Sequence, residues 1–189
     1  SFVLMANFVS PHFPLAAPKE FSDLYKVEDI PDPIQFRRED WPHHPVIDDY
    51  RRYCCQENVP YEVSKEAIRV YYGMCSFLDD QIGIVLDALK KSGKEDDTYV
   101  IYISDHGDTM GEHGVFFKST LYEGSVGIPM IMKGPDIEKG TTSSSPVSLI
   151  DIYQTALEIA SVPLDDYSRT LPGKSILETL RNPDLNRPI

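Results

Sequence analysis

An uncharged run of β-branched and aromatic residues at 98–103, TYVIYI, stops without a spacer at Ser104-Asp105-His106-Gly107. Such a run reads as a strand buried on both faces, the pattern of a central strand in a parallel sheet. The first polar groups after it then lie at the strand's carboxyl end, where open α/β sheets hold their ligands. Asp105 offers a hard carboxylate oxygen and His106 a neutral imidazole nitrogen, a donor pair suited to one divalent cation. Gly107 lets the backbone bend sharply behind them. Beyond Gly111 and Gly114, Lys118 supplies a compact ammonium suited to an anionic group. Taken singly, the DHG tripeptide is a turn that caps itself and the lysine is solvated surface. Strand end, ligand pair, two glycines and lysine together favour a site.

Upstream, residues 2–9, FVLMANFV, read as a second fully buried strand, followed at once by Ser10-Pro11-His12-Phe13-Pro14. If the two strands are parallel, His12 shares a sheet edge with Asp105 and His106. Spacing alone serves equally well for a histidine packed in a proline-rich turn. Residues 16–63 are rich in proline and charge and read as an irregular, loop-rich excursion. In it, His43-His44 beside prolines read as surface. From Ser64, a plausible N-cap, the residues Ile68, Tyr71, Cys75, Leu78, Ile82, Val85 and Leu89 recur at helical steps, and Gly93 suits a left-handed C-cap. Strand, helix and strand in that order make a right-handed crossover unit. A short strand at 128–132, a helix over 149–160 with Ser148 as N-cap and Asp151 in a capping-box-like position, and a short helix over 175–180 complete the chain. Its apolar positions Ile152, Tyr153, Ala156, Leu157 and Ile159 are expected to cover one broad buried face.

The stretch at 104–135, SDHGDTMGEHGVFFKSTLYEGSVGIPMIMKGP, resembles the C-terminal part of the catalytic domain of sulfatases, members of the alkaline phosphatase superfamily. The resemblance implies that Asp105 and His106 bind a divalent metal, most often Ca2+ with Mn2+ or Mg2+ as alternatives, and that Lys118, twelve positions after the histidine, contacts the sulfate. A strand followed by PHxP is similar to another sulfatase segment, which implies that His12 contacts the sulfate and the ester oxygen. The implied fold is a doubly wound, mostly parallel sheet flanked by helices, incomplete in this chain. All 189 residues are then one partial catalytic domain.

Much of the expected machinery is not in this sequence. Calcium takes about six to eight ligands and zinc about four, whereas two residues here make a convincing pair, with Glu112 and His113 as possible additions. Sulfatases draw on a formylglycine made from a cysteine in a Cys-x-Pro/Ala-Ser-Arg context, and Cys54, Cys55 and Cys75 have no such surroundings. The three cysteines read instead as buried free thiols, since no disulfide framework follows from them. Three strands leave a doubly wound sheet with open edges. The expectation is therefore a fragment, inactive alone, whose missing N-terminal half carries the formylglycine.

A formal charge of −12 argues against nucleic acid or an anionic membrane as main partner. It leaves room for a small-molecule or saccharide sulfate ester, because a metal and a few local cations outweigh the global field. No apolar run is long enough to span a bilayer, and the compartment is left open. A phosphonate monoester or phosphodiester hydrolase of the same superfamily is the alternative activity. A noncatalytic relative is the third reading.

Overall fold

The computed structural model describes residues 2–185 and Arg187. In chain order the regular elements are α1 (Lys19–Ser22), α2 (Pro45–Tyr53), α3 (Tyr61–Lys91), β1 (Val100–Ile103), β2 (Thr109–Met110), β3 (Phe116–Phe117), α4 (Glu123–Val126), β4 (Met130–Lys133), α5 (Asp151–Ile159), α6 (Asp166–Thr170) and α7 (Leu177–Arg181). They fall into two compact units, one running up to Ser92 and including His106–Ile128, the other made of Gly93–Asp105 and the chain from Pro129 onward.

The first unit is built on α3. This helix starts at Tyr61 behind Pro60, whose extended backbone and missing N–H suit a position just outside a helix. Ser64 is therefore not the N-cap: its N–H already bonds the Pro60 carbonyl at 3.1 Å, inside the first turn. The buried face comprises Ser64, Lys65, Ile68, Gly73, Met74 and Leu78, so the N-terminal part of the expected apolar stripe is the part that packs. Ile68 meets Ile30 and Met110 in a small core, with Leu15, Tyr25, Tyr71 and Phe117 against it. At Gly73 the helix touches the backbone of Ser22, where a Cβ would lie 3.0 Å from the Ser22 Cα. The helix ends at Ser92, and Gly93 follows with φ of 70°, the left-handed stop expected there.

Two of the expectations for this unit are overturned. Residues 2–9 form no strand, and Val3 and Val9 are 95% and 81% exposed. An extended apolar segment becomes a strand only when a neighbour takes its N–H and C=O groups, and no described segment does so here. The cysteines are free but not buried: Cys55 and Cys75 are exposed and Cys54 half-buried. The proline-rich stretch, for its part, contains a nine-residue helix, α2, entered by Pro45 at its first position and capped by the His44 imidazole, whose Nδ1 accepts from the Val46 N–H at 3.3 Å.

In the second unit β1 pairs antiparallel with β4, Val100 opposite Lys133 and Ile103 opposite Met130. The strand is half-buried along its length and not closed on both faces, and the crossover to a parallel strand at 2–9 is not formed. Helix α5 begins as anticipated in one respect, since the Asp151 carboxylate reaches back to the Ser148 N–H at 2.9 Å. Its buried face is another matter. Asp151 and Thr155 are the buried positions, whereas Tyr153 and Ala156 are exposed. Thr155 donates to the Asp151 carbonyl at 2.7 Å and accepts from the Ile176 N–H at 3.1 Å, tying α5 to the segment that leads into α7. Ile176 and Leu177 are 2% and 1% exposed.

Among the described residues no helix is long and apolar enough to cross a membrane.

Candidate active site

In the first unit β2 and β3 pair antiparallel, Thr109 opposite Phe117 and Met110 opposite Phe116, and so pinch residues 111–115 into a tight loop. Two glycines make the loop possible. Gly111 has φ of 108° and Gly114 of 69°, and a Cβ on Gly114 would fall 2.1 Å from Trp41, whose indole packs there. Directly after β3 the chain delivers Lys118. Phe117 on one side and Ser119 on the other have φ of 67° and 77°, left-handed values that are unfavourable for side chains bearing a Cβ. Paired conformations of this kind collect at functional sites.

The Lys118 ammonium donates to Nε2 of His12, a residue 106 positions earlier. The tautomer follows from the other ring nitrogen. His12 Nδ1 lies 2.7 Å from the Phe13 carbonyl, which only accepts, so Nδ1 carries the proton and Nε2 the lone pair. Lys118 also stands 4.8 Å from the centre of the Phe13 ring, a cation–π contact, and Phe13 in turn lies 4.8 Å from the Phe117 ring. The His106 ring is 6.5 Å from that of His12. The His106 Nδ1 likewise lies 2.9 Å from a carbonyl, that of Gly107. The half-buried ammonium, set beside two imidazole rings and over the Phe13 ring, is the positive group of this cluster and the one suited to an anion.

Three of the four anticipated residues thus lie in one unit: His12, His106 and Lys118. Asp105 closes the β1 segment of the other unit and is exposed. A carboxylate and an imidazole are chemically fit for a divalent cation, and metal-bound histidines commonly donate their second N–H to a carbonyl, as the His106 Nδ1 is placed to do toward Gly107. Among the described residues no group of three or more His, Cys, Asp or Glu is disposed to hold a metal. Glu112 and His113 serve the loop instead. The Glu112 carboxylate accepts from the Met110 N–H, and His113 Nδ1 donates to the Gln35 side chain at 2.8 Å while its ring stacks 4.2 Å from Tyr122. Burial pushes the His113 imidazole below its usual range.

Sequence reasoning missed the residues that hold the loop. Arg51 is 1% exposed, lies 4.8 Å from the Trp41 ring centre, and donates to the His113 carbonyl at 2.6 Å and 3.1 Å. Tyr50 donates to the Lys118 carbonyl at 2.8 Å. Gln56 brackets Phe116, accepting from its N–H at 3.2 Å and donating to its carbonyl at 3.3 Å. In sequence Arg51 reads as one of several i,i+3 partners of an acidic residue, here Asp48. Nothing in its spacing distinguishes it.

The sulfatase family model matches residues 1–162. The chain belongs to the sulfatase family. This sulfatase chain is 35% identical over 183 residues to the arylsulfatase of Clostridium perfringens, covering 94% of this chain and 37% of that protein. It is 30% identical over 194 residues to the choline-sulfatase of Rhizobium meliloti, covering 98% and 36%. The chain therefore spans little more than a third of the length of these relatives. Among solved structures it superposes on the phosphonate monoester hydrolase of Silicibacter pomeroyi with a TM-score of 0.80 at 25% identity, covering 94% of this chain and 36% of the other. It also superposes on a protein solved with its substrate D-glucosamine-2-N,6-O-disulfate, with a TM-score of 0.61 at 28% identity, covering 74% and 29%. The fold is accordingly α/β, an incomplete portion of the doubly wound sulfatase and alkaline phosphatase-like architecture.

Proposed function

We propose that this chain is the part of a metal-dependent sulfatase that recognises the sulfuryl group of a small-molecule or saccharide sulfate ester. The observation that carries the reading is the meeting of the Lys118 ammonium with Nε2 of His12 across 106 residues, beside the ring of His106. The family and the arylsulfatase and choline-sulfatase relatives support the ester class.

In this reading Lys118 faces the oxygens on which negative charge grows during transfer, where a fixed ammonium lowers the barrier more than it tightens substrate. His12 holds the sulfate and the ester oxygen. Asp105 and His106 supply an oxygen and a nitrogen ligand to a divalent cation, Ca2+ before Mn2+ or Mg2+. When bound, such an ion withdraws charge from a coordinated oxygen. The nucleophile, a formylglycine, and the remaining ligands belong to the N-terminal part of the enzyme.

A second reading, hydrolysis of a phosphonate monoester, rests on the 0.80 superposition with the phosphonate monoester hydrolase. The test is a substrate panel on the full-length protein that contains this segment. Higher kcat/KM for p-nitrophenyl sulfate than for p-nitrophenyl phenylphosphonate is the expected result. The reverse order selects the phosphonate reading, and no turnover of either selects a noncatalytic relative.

A further inference from the structure

We propose that Tyr50 is a positioning residue for Lys118, setting the peptide plane from which the ammonium reaches His12; the proposal rests on the sulfuryl-binding role of Lys118 argued above.

The loop that carries Lys118 is poorly supplied with secondary structure. Its two strands hold two residues each, and past Phe117 no ladder continues. The Thr109 hydroxyl donates to the Phe117 carbonyl at 2.7 Å and the His113 N–H to the Ile34 carbonyl at 2.8 Å, and the segment 41–56 adds contacts at three residues of the loop. Arg51 takes the His113 carbonyl, Gln56 takes both polar groups of Phe116, and the Tyr50 hydroxyl takes the Lys118 carbonyl at 2.8 Å, with the Phe116 carbonyl farther off at 3.5 Å. The Lys118 contact is the decisive one. Lys118 is flanked by two left-handed residues, neither of them glycine, and of the two peptides between them the first has its carbonyl fixed by Thr109 at 2.7 Å, which leaves the second, carrying the Lys118 carbonyl, to be fixed from elsewhere. Tyr50 does so with a single donor projected from a helix whose neighbouring residue, Arg51, is locked under Trp41. A shift of that peptide tilts the Lys118 backbone and is magnified along its long side chain, and a misplacement of about 1 Å at the tip is enough to cost a large factor in rate.

Burial raises the Tyr50 phenol above its usual range, with the Cys54 thiol adding to the effect, so the hydroxyl remains a donor at neutral pH. Tyr50→Phe removes that donor and keeps the ring.

The test is a double-mutant cycle in the full-length enzyme, with p-nitrophenyl sulfate as probe. Tyr50→Phe alone is expected to lower kcat on the order of tenfold with KM nearly unchanged, as for an interaction expressed in the transition state. In a Lys118→Ala background the same change is expected to cost less than about twofold, because the group it positions is gone. A merely structural tyrosine gives equal losses in both backgrounds, and that result overturns the proposal. So does wild-type kcat in Tyr50→Phe. If Lys118→Ala itself is fully active, the reading of Lys118 fails and the proposal falls with it, a pattern distinct from the other two. Should Tyr50→Phe not fold, Gln56→Met, which loosens the same loop at Phe116, is put through the same cycle with the same expected non-additivity, and additivity there overturns the proposal equally.

Discussion

The Lys118 ammonium and the Nε2 lone pair of His12 face each other because the Phe13 carbonyl holds the proton on the opposite side of the ring. The pairing gives Lys118 a defined direction before any anion arrives. It also predicts what its loss does. Lys118→Ala should lower kcat/KM by about a hundredfold or more, by a similar factor for every sulfate ester tried. A loss that varied widely with the alcohol, at wild-type kcat, would assign Lys118 to the leaving-group pocket.

Asp105→Ala should reduce both metal content and activity of the full-length enzyme, since it removes a charge and a ligand together. His106→Ala should do the same more mildly, a neutral ligand being lost. Elemental analysis of the purified proteins checks this, and full metal stoichiometry in both variants would leave the pair as turn residues.

The chain on its own should not turn over p-nitrophenyl sulfate. Its described residues bring no third metal-ligand candidate to the site, and none of its cysteines stands in a formylglycine context. Any turnover by the purified 189-residue chain, free of contaminating sulfatase, refutes this.

Gly114→Ala should destabilise the first unit by about 2–4 kcal/mol, the sum of a left-handed backbone and an added carbon in packed space. The new Cβ would sit 2.1 Å from the Trp41 ring, whose indole N–H is anchored on the Phe36 carbonyl at 2.9 Å, so neither neighbour yields easily. Denaturant unfolding measures it, and a cost below about 1 kcal/mol would mean that the loop shifts freely.

In the second unit the Asp151 carboxylate receives both Nη groups of Arg187, at 2.7 Å and 2.8 Å, along with the N–H groups of Ser148 and Lys174. The Arg187 guanidinium is the main cause that holds its pKa down at about 2, against an ordinary 3.8. A depressed carboxylate contributes stability that is fully present above its unfolded value and is lost as pH falls through its folded one. Here that contribution is about 2 kcal/mol, intact above pH 4 and gone below about pH 2. Asp151→Asn should therefore be less stable than wild type by about that amount at pH 6. The gap should close toward pH 2, as unfolding curves across that range would reveal.

Local chemistry could be read directly from the order of residues. The strand before Asp105, the amphipathic run of α3, the glycine that stops it and the reach of Asp151 back to Ser148 all depend on neighbours within a turn or so, where spacing and propensity act without help. The residue types at His12, His106 and Lys118 were legible for the same reason, as was the family motif that carries them. What the sequence could not decide was which distant groups meet. Residues 2–9 have every local mark of a buried strand, yet a strand exists only where a partner accepts its hydrogen bonds, and that is a property of the assembled sheet. The grip of Tyr50, Arg51 and Gln56 on the lysine loop spans about sixty residues or more and uses backbone carbonyls, which leave no trace in side-chain pattern. Only the tertiary structure decides that Arg51, one among many charged surface-like residues in the sequence, is buried, because a guanidinium goes inside solely where carbonyls, a carboxylate and an aromatic face have already converged to receive it.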